Sequence, residues 1–278
     1  MSGRILHLTD IHFGCENKDA VQAVLELALR ERFAFTAVTG DVTQSGRQNE
    51  FDAAAEWIRA LPGPVMVTPG NHDVPVPGVV DRIFWPFRRY ERAFGPAWTA
   101  THEQEGLAAC TFNTARGIQM RANWSKGAVR EAQARETARV LGAARPGALR
   151  VALCHHPLSE VTGGPMTGEV HGGLEAATIL AEGGVDVILT GHVHTPFALQ
   201  LPIADRRTYA IGAATLSLRE RGAPAGFNIL DWDKGCIRVA AHGWTGSHFE
   251  VQKTWSLDRR EALMGSTVAP VARPEGPA

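Results

Sequence analysis

Arg4-Ile5-Leu6-His7-Leu8-Thr9-Asp10 is a short apolar run that stops in a polar pair, and it reads as a buried strand feeding a loop. Downstream, Asp19 to Arg32 sets Val21, Val24, Leu25, Leu27 and Ala28 at helical spacing. Phe33 to Thr39 is a second strand and halts at Gly40-Asp41, and Gln48 to Ala60 is a second helix with Phe51, Ala54, Ala55 and Ile58 on its apolar side. Val65 to Thr68 is a third strand running into Pro69-Gly70-Asn71-His72-Asp73. Three successive β-α steps, each ending in a polar loop, predict an α/β architecture whose working residues sit beyond the strand ends on a rigid sheet.

The second half repeats the habit. Leu107 to Phe112 reads as strand, Lys126 to Ala143 as helix, Leu149 to Cys154 as a strand ending in His155-His156-Pro157, and Leu174 to Glu182 as helix. Val185 to Thr190 is a strand ending in Gly191-His192-Val193-His194. Beyond it only short strands follow, near Phe197 to Leu201, Arg207 to Ala210, Gly226 to Trp232 and Cys236 to Ala241, which predicts a second sheet. The tail from about Arg259 is rich in Pro, Gly and Ala without periodicity and is expected to be disordered, leaving residues 1–258 as one domain and 259–278 as a tail.

Composition narrows the function classes. Lys plus Arg number 28 against 29 Asp plus Glu, a formal net charge of −1, so no general attraction to polyanions argues for a protein that coats nucleic acid. Hydrophobic residues at 44% and charged residues at 21% describe a folded globular chain. Cys15, Cys110, Cys154 and Cys236 match no zinc-finger spacing, and no basic-then-apolar leader opens the chain, so a reducing cytoplasm is the expected setting. No apolar run approaches the roughly 18 to 20 residues needed to span a bilayer.

Eleven histidines are the unusual figure, because six of them fall within two residues of Asp, Asn, Gly or another His at strand ends. Asp10-x-His12, Gly40-Asp41, Gly70-Asn71-His72-Asp73, His155-His156 and Gly191-His192-x-His194 each follow an expected strand. Alone, any one of these is a surface pair or a capping residue; five in this order point to a common site. Oxygen and imidazole donors without thiolate suit Mn²⁺, Fe or Zn²⁺, and seven such groups suffice for two metals sharing a carboxylate. Two metals about 3.5 to 4 Å apart lower the pKa of a bound water and clamp the oxygens of an in-line displacement at phosphorus. Glycines beside Asp41, Asn71 and His192 allow the sharp turns and close approach that such a site needs.

In this order the motifs resemble the calcineurin-like metallophosphoesterase superfamily over roughly Arg4 to Pro196. Leu8-Thr9-Asp10-Ile11-His12-Phe13, Thr39-Gly40-Asp41-Val42-Thr43 and Val67-Thr68-Pro69-Gly70-Asn71-His72-Asp73 look most like bacterial class III cyclic-nucleotide phosphodiesterases. The resemblance implies a four-layer α/β/β/α sandwich of two mixed sheets flanked by helices. It implies that Asp10, His12 and His194 hold one metal, that Asn71, His155 and His192 hold the other, and that Asp41 bridges them. Its histidine two residues before proline is the ligand, which selects His155 and leaves His156 as a supporting or core residue. His72, next to Asn71, would face substrate as the catalytic histidine, stabilising phosphate oxygens or protonating the leaving alkoxide. Asp73 would either orient the His72 ring or cap its loop.

One departure is plain: where those enzymes commonly carry an arginine after the Gly-Asn-His-Asp motif, this chain continues Val74-Pro75-Val76-Pro77. Arg116 and Arg121 read as solvated surface arginines, with a cation for phosphate as the alternative. Cys15 is expected to be a small buried thiol. Asp81 to Phe94 interleaves aromatics with Arg82, Arg88, Arg89 and Arg92 and reads as a helix packing its aromatic face on the sheet, or else as a strand-binding, membrane-touching or dimer surface. Ser159 to Gly173 is a lid or a long connection. The expected reaction is hydrolysis of a small phosphodiester, foremost 3′,5′-cAMP or 2′,3′-cAMP. The alternatives are a glycerophosphodiester, a phosphomonoester, a nuclease substrate, or a binding module that keeps the fold without catalysis. A homo-oligomer is possible on this reading, with the β-rich C-terminal stretch either capping its own sandwich or pairing with a neighbour by an edge strand.

Overall fold

The computed structural model describes residues 2–76, 78–118, 125–160 and 170–260. Its first part runs β1 (Gly3–Leu8), α1 (Lys18–Arg30), β2 (Phe35–Thr39), α2 (Gln48–Ala60), β3 (Val65–Thr68), α3 (Val79–Phe84) and α4 (Arg88–Phe94). Then come β4 (Thr101–Gln104), β5 (Leu107–Thr111), α5 (Glu131–Gly142), β6 (Leu149–Leu153), α6 (Gly173–Glu182) and β7 (Val187–Thr190). Five strands close the order: β8 (Phe197–Gln200), β9 (Tyr209–Gly212), β10 (Gly226–Trp232), β11 (Cys236–Trp244) and β12 (Phe249–Asp258).

The strands form two six-stranded mixed sheets, β12-β11-β10-β1-β2-β3 and β4-β5-β6-β7-β9-β8. β1, β2 and β3 are parallel, as are β5, β6, β7 and β9, so the loops after β1, β2 and β3 leave the same edge of the first sheet, and those after β6 and β7 the same edge of the second. Strands covered on both faces explain the unbroken apolar runs. Along β1, Ile5 enters a core between the sheets with Phe35, Trp232, Val151 and Leu189. Leu6 and Leu8 face the other way, onto a core with Val24 of α1 and Phe51 and Ile58 of α2. The outer face of the second sheet packs Ala152 and Ile188 against Leu141 of α5 and Leu180 of α6. These three cores separate four layers, the α/β/β/α sandwich anticipated above.

The C-terminal strands belong to the first sheet of their own chain: β10 pairs antiparallel with β1, β11 with β10, and β12 with β11. Two strands were not anticipated, β4 and β12, and both lie at sheet edges. The expected helix over 126–143 begins at Glu131, because Ala128 instead bridges to His171. The expected tail lies outside the described residues from 261 onward, as do Arg121 and positions 161–169 of the supposed lid.

Candidate metal centre

The loops after β1, β2, β3, β6 and β7 converge where the same edges of the two sheets meet. Asp10, His12, His155 and His194 are buried, as is Asp41, while Asn71, His72 and His192 are partly open. Five of the seven non-glycine residues with left-handed backbone among the described residues are Asp10, His12, Asp41, His192 and His194, with φ between 49° and 70°. Such conformations cost free energy outside glycine and persist where surrounding structure enforces them. Here they turn successive side chains inward from very short loops. Gly70 and Gly191 permit the closest approaches: a Cβ on Gly70 would overlap Asp41 Oδ1, and one on Gly191 would overlap Thr9 Oγ1 and Asp10 Oδ2.

Ligand-type atoms of Asp10, His12 and His194 lie within 4.8 Å of one another, as do those of Asp10, Asp41 and His155. His194 Nε2 is 3.0 Å from Asp10 Oδ1, and His155 Nε2 is 3.3 Å from Asp41 Oδ2. The hydrogen bonding shows which way each ring faces. Nδ1 of His12, His155 and His194 donates to the carbonyls of Thr43, Thr39 and Arg219 at 3.3, 2.8 and 2.6 Å. A ring that donates from Nδ1 presents Nε2 as the free donor atom, the orientation a metal requires. Asp10 Oδ1, His12 Nε2, Asn71 Oδ1 and His155 Nε2 are all buried without a hydrogen-bond partner. Buried polar atoms left bare cost stability, so four orphaned ligand atoms on these converging loops fit bound cations.

The electrostatics agree. Burial pushes the carboxyls of Asp10 and Asp41 up, but the surrounding histidines outweigh it and hold both below the usual carboxylate range, His194 and His155 acting on Asp10 and His155 on Asp41. Burial lowers His155 too, yet Asp41 and Asp10 raise it to about 9, so the carboxylates draw a proton to this ring that a bound cation would have to displace. His12 and His192 are pushed down by burial to about 4, which keeps their lone pairs available. Two buried carboxylates that stay ionised put negative charge at the centre, which a cation would neutralise.

His156 also lies near His155 and His192. Its ring is occupied elsewhere: Thr114 Oγ1 donates to Nδ1 at 2.8 Å and Nε2 donates to the Ser125 carbonyl at 2.8 Å. Asp73 is fully buried, and its carboxylate accepts from the backbone N–H groups of Thr43 and Gly70 at 2.8 and 2.9 Å and from Thr43 Oγ1 at 2.8 Å. It ties the loop after β2 to the loop after β3 and makes no hydrogen bond to the His72 ring among the described residues. Of the two roles expected for it, the geometry matches loop capping and not ring orientation. His72 stands edge-on over His12, ring centroids 4.8 Å apart.

Three expectations about cations and surfaces change. Arg116 is half-buried and not a solvated surface arginine; it donates to the carbonyls of Asn113 and Ala115 at 3.0 and 2.8 Å and to Gln133. The 81–94 segment is two helices broken at Trp85-Pro86, since proline disfavours helix at the residue before it. Cys15 is half-buried and free, not fully buried. Sequence reasoning missed Arg219, in the loop between β9 and β10, whose Nη1 lies 2.9 Å from His72 Nε2. No local pattern marks it, because only the pairing of β10 onto β1 brings that loop beside His72.

A family model described as calcineurin-like phosphoesterase matches residues 3–196. The chain belongs to the calcineurin-like phosphoesterase family. The glycerophosphodiester phosphodiesterase GpdQ of Enterobacter lignolyticus (strain SCF1) is 32% identical over 80 residues, a match covering 25% of this chain and 29% of that protein. Two solved structures share the calcineurin-like fold over most of the chain. The purple acid phosphatase PPD1 of yellow lupin superposes with a TM-score of 0.63 at 13% identity, covering 99% of this chain and 57% of the phosphatase. GAP50, described as the anchor in the inner membrane complex of Plasmodium, gives 0.62 at 14% identity, covering 93% of this chain and 89% of its own. At such identities the likeness is one of fold, and the residues of the site must carry the functional argument. No helix among the described residues is long and apolar enough to cross a membrane.

Proposed function

We propose that this chain hydrolyses a small phosphodiester at a two-cation centre, with Asp10, His12 and His194 holding one cation, Asn71, His155 and His192 the other, and Asp41 between them. The observation that carries the reading is the set of four buried, partnerless donor atoms on Asp10, His12, Asn71 and His155. Bound cations of the Mn²⁺, Fe or Zn²⁺ kind would supply Lewis acidity to phosphoryl oxygens and lower the pKa of a bound water.

The chain's own groups do the positioning. Thr39, Thr43 and Arg219 carbonyls lock three imidazoles into one tautomer and direction. Thr9 Oγ1 and the His192 N–H donate to Asp10 Oδ2 at 2.7 and 2.8 Å, leaving Oδ1 for ligation. The His72 N–H donates to Asp41 Oδ1 at 2.7 Å, so the backbone that carries His72 is bound to the bridging carboxylate. His72 itself, half-buried beside Asn71, would meet substrate as the catalytic imidazole.

Cyclic nucleotides, 3′,5′-cAMP or 2′,3′-cAMP, are the first substrates to try, on the strength of the three motif stretches quoted above. The GpdQ match favours a second reading, a glycerophosphodiester. A near-neutral chain argues against a nuclease with a large polyanion footprint. Filled ligand positions argue against a purely binding role. Four free thiols fit a reducing, cytoplasmic setting. The test is hydrolysis of bis-p-nitrophenyl phosphate against p-nitrophenyl phosphate by chelator-stripped protein resupplied with Mn²⁺, followed by both cyclic nucleotides and glycerophosphodiesters. Metal-restored diester turnover that collapses in Asn71→Ala is expected. Metal-loaded protein that turns over neither ester would overturn the proposal in favour of a binding module.

A further inference from the structure

The loop of residues 213–225 between β9 and β10 is built into the floor of the centre. Thr215 Oγ1 donates to the Asp10 carbonyl at 2.6 Å, the Leu218 N–H donates to the Cys15 carbonyl at 3.0 Å, and the Arg219 N–H donates to Ser217 Oγ at 3.2 Å. Thr215, Leu216 and Ser217 are fully buried. Arg219 therefore leaves a fixed backbone, whose carbonyl orients His194, and its guanidinium reaches back to His72 and Gln44.

The hydrogen bonds there have a definite direction. His72 Nδ1 lies 2.7 Å from the Gln44 carbonyl, which can only accept, so Nδ1 carries the proton. Arg219 Nη1 lies 2.9 Å from His72 Nε2 and 3.5 Å from Nδ1, so the guanidinium packs against the imidazole itself. Nη1 also stands 3.4 Å from Gln44 Oε1. Among the described residues no carboxylate pairs with Arg219, and its Nε and Nη2 have no hydrogen-bond partner. A half-buried cation, held on one nitrogen by the His72 ring and Gln44 Oε1 and left with free donors beside a metal centre, is shaped for an oxyanion.

We propose that Arg219 is the phosphate-binding cation of this enzyme, donating from its free N–H groups to a non-bridging oxygen of the bound phosphoryl group while His72 and Gln44 hold the guanidinium in place. This rests on the phosphoesterase reading above. It makes His72 a positioning residue for Arg219 as well as a neighbour of the substrate, and it makes the loop after β9 part of the active site. No covalent step is added: Arg219 stabilises charge that builds on phosphoryl oxygen and remains protonated throughout.

The experiment compares wild type, Arg219→Met and Arg219→Lys, each loaded with Mn²⁺ and checked for metal content and thermal midpoint. Two readouts are taken, inorganic phosphate binding by calorimetry and bis-p-nitrophenyl phosphate kinetics, with added guanidinium as a rescue of Arg219→Ala. Expected are unchanged metal content, phosphate binding weakened by about tenfold or more, and kcat/KM lowered by about 10²-fold in Arg219→Met, the scale of removing one preorganised donor. Arg219→Lys should fall between the two, and guanidinium should restore part of the activity of Arg219→Ala. Metal-loaded Arg219→Met that binds phosphate as wild type does would overturn the inference, as would loss of metal in that variant, which would make Arg219 structural. If wild type binds phosphate but turns over no ester, the phosphoesterase proposal fails on its own while the phosphate comparison still decides the role of Arg219.

Discussion

His155 and His156 are adjacent, equally buried, and opposite in their hydrogen bonding. His155 keeps Nε2 free, whereas both nitrogens of His156 are engaged by Thr114 and Ser125. His155→Ala should therefore lose bound metal, and His156→Ala should keep its metal content while losing about 1–3 kcal/mol of stability from the stranded partners. Metal analysis with urea denaturation checks both; equal metal loss in the two variants would contradict the assignment. The sequence alone left this pair open and the family resemblance selected His155, because the carbonyls of Thr39 and Ser125 that sort the rings come from distant loops. Arg219 was illegible for the same reason. By contrast, Asp10, His12, Asp41 and Asn71 were legible because each sits directly after a strand whose apolar run announces where it ends.

His7 offers a pH test outside the metal ligands. Fully buried on β1, it is bonded to Thr39 Oγ1 at 3.0 Å, and burial pushes its pKa from 6.5 down to about 3. Below about pH 6.5 the unfolded chain binds a proton at this residue that the folded chain refuses, so its contribution is full above that pH and declines toward pH 3. In metal-stripped protein the loss should run at up to about 1.4 kcal/mol per pH unit, and His7→Gln should flatten the curve by that slope. Urea midpoints over a pH series test it, and parallel curves for the two proteins would contradict it.

At the scale of elements, the 79–94 segment shows how a correct pattern can hide two fates. Tyr90 and Phe87 of its second half are buried, and Tyr90 Oη donates to the Val67 carbonyl at 2.8 Å. Phe84 and Trp85 of the first half are 66% and 53% exposed, so the expected single aromatic face exists only after the proline break. Tyr90→Phe should cost about 1 kcal/mol through the lost hydrogen bond, and Phe84→Lys should stay within about 0.5 kcal/mol. Thermal or urea denaturation distinguishes them, and a larger cost for Phe84→Lys would show that α3 is covered. β4 and β12 escaped the sequence reading because Thr101-His102-Glu103-Gln104 has no apolar alternation and the ten residues of β12 bury only Leu257. Edge strands that send only a few side chains into the core, such as Leu257, and His102 against Phe35, leave little trace in side-chain pattern.

Across the whole molecule, the centre is a joint between the two sheets. Asp10, His12, Asp41 and Asn71 follow strands of the first sheet, and His155, His192 and His194 follow strands of the second. The chain that supplies them is separated by the α3–β5 region, so the α/β alternation predicted both halves while only the stacked sheets bring them together. A ligand that binds only this closed arrangement stabilises it, by about 2.7 kcal/mol at a hundred times its dissociation constant. Mn²⁺ should raise the thermal midpoint of stripped protein, and Asn71→Ala should blunt that rise; a midpoint indifferent to metal would contradict a centre shared between sheets.

The most direct test of the central claim is the number of metal ions per chain in stripped protein reloaded with Mn²⁺ and freed of excess metal, measured by mass spectrometry of the metal. Two ions per chain, falling in Asn71→Ala and His155→Ala but not in His156→Ala, is the result predicted here. At saturating metal, one ion or none per chain with all seven donors intact would contradict it.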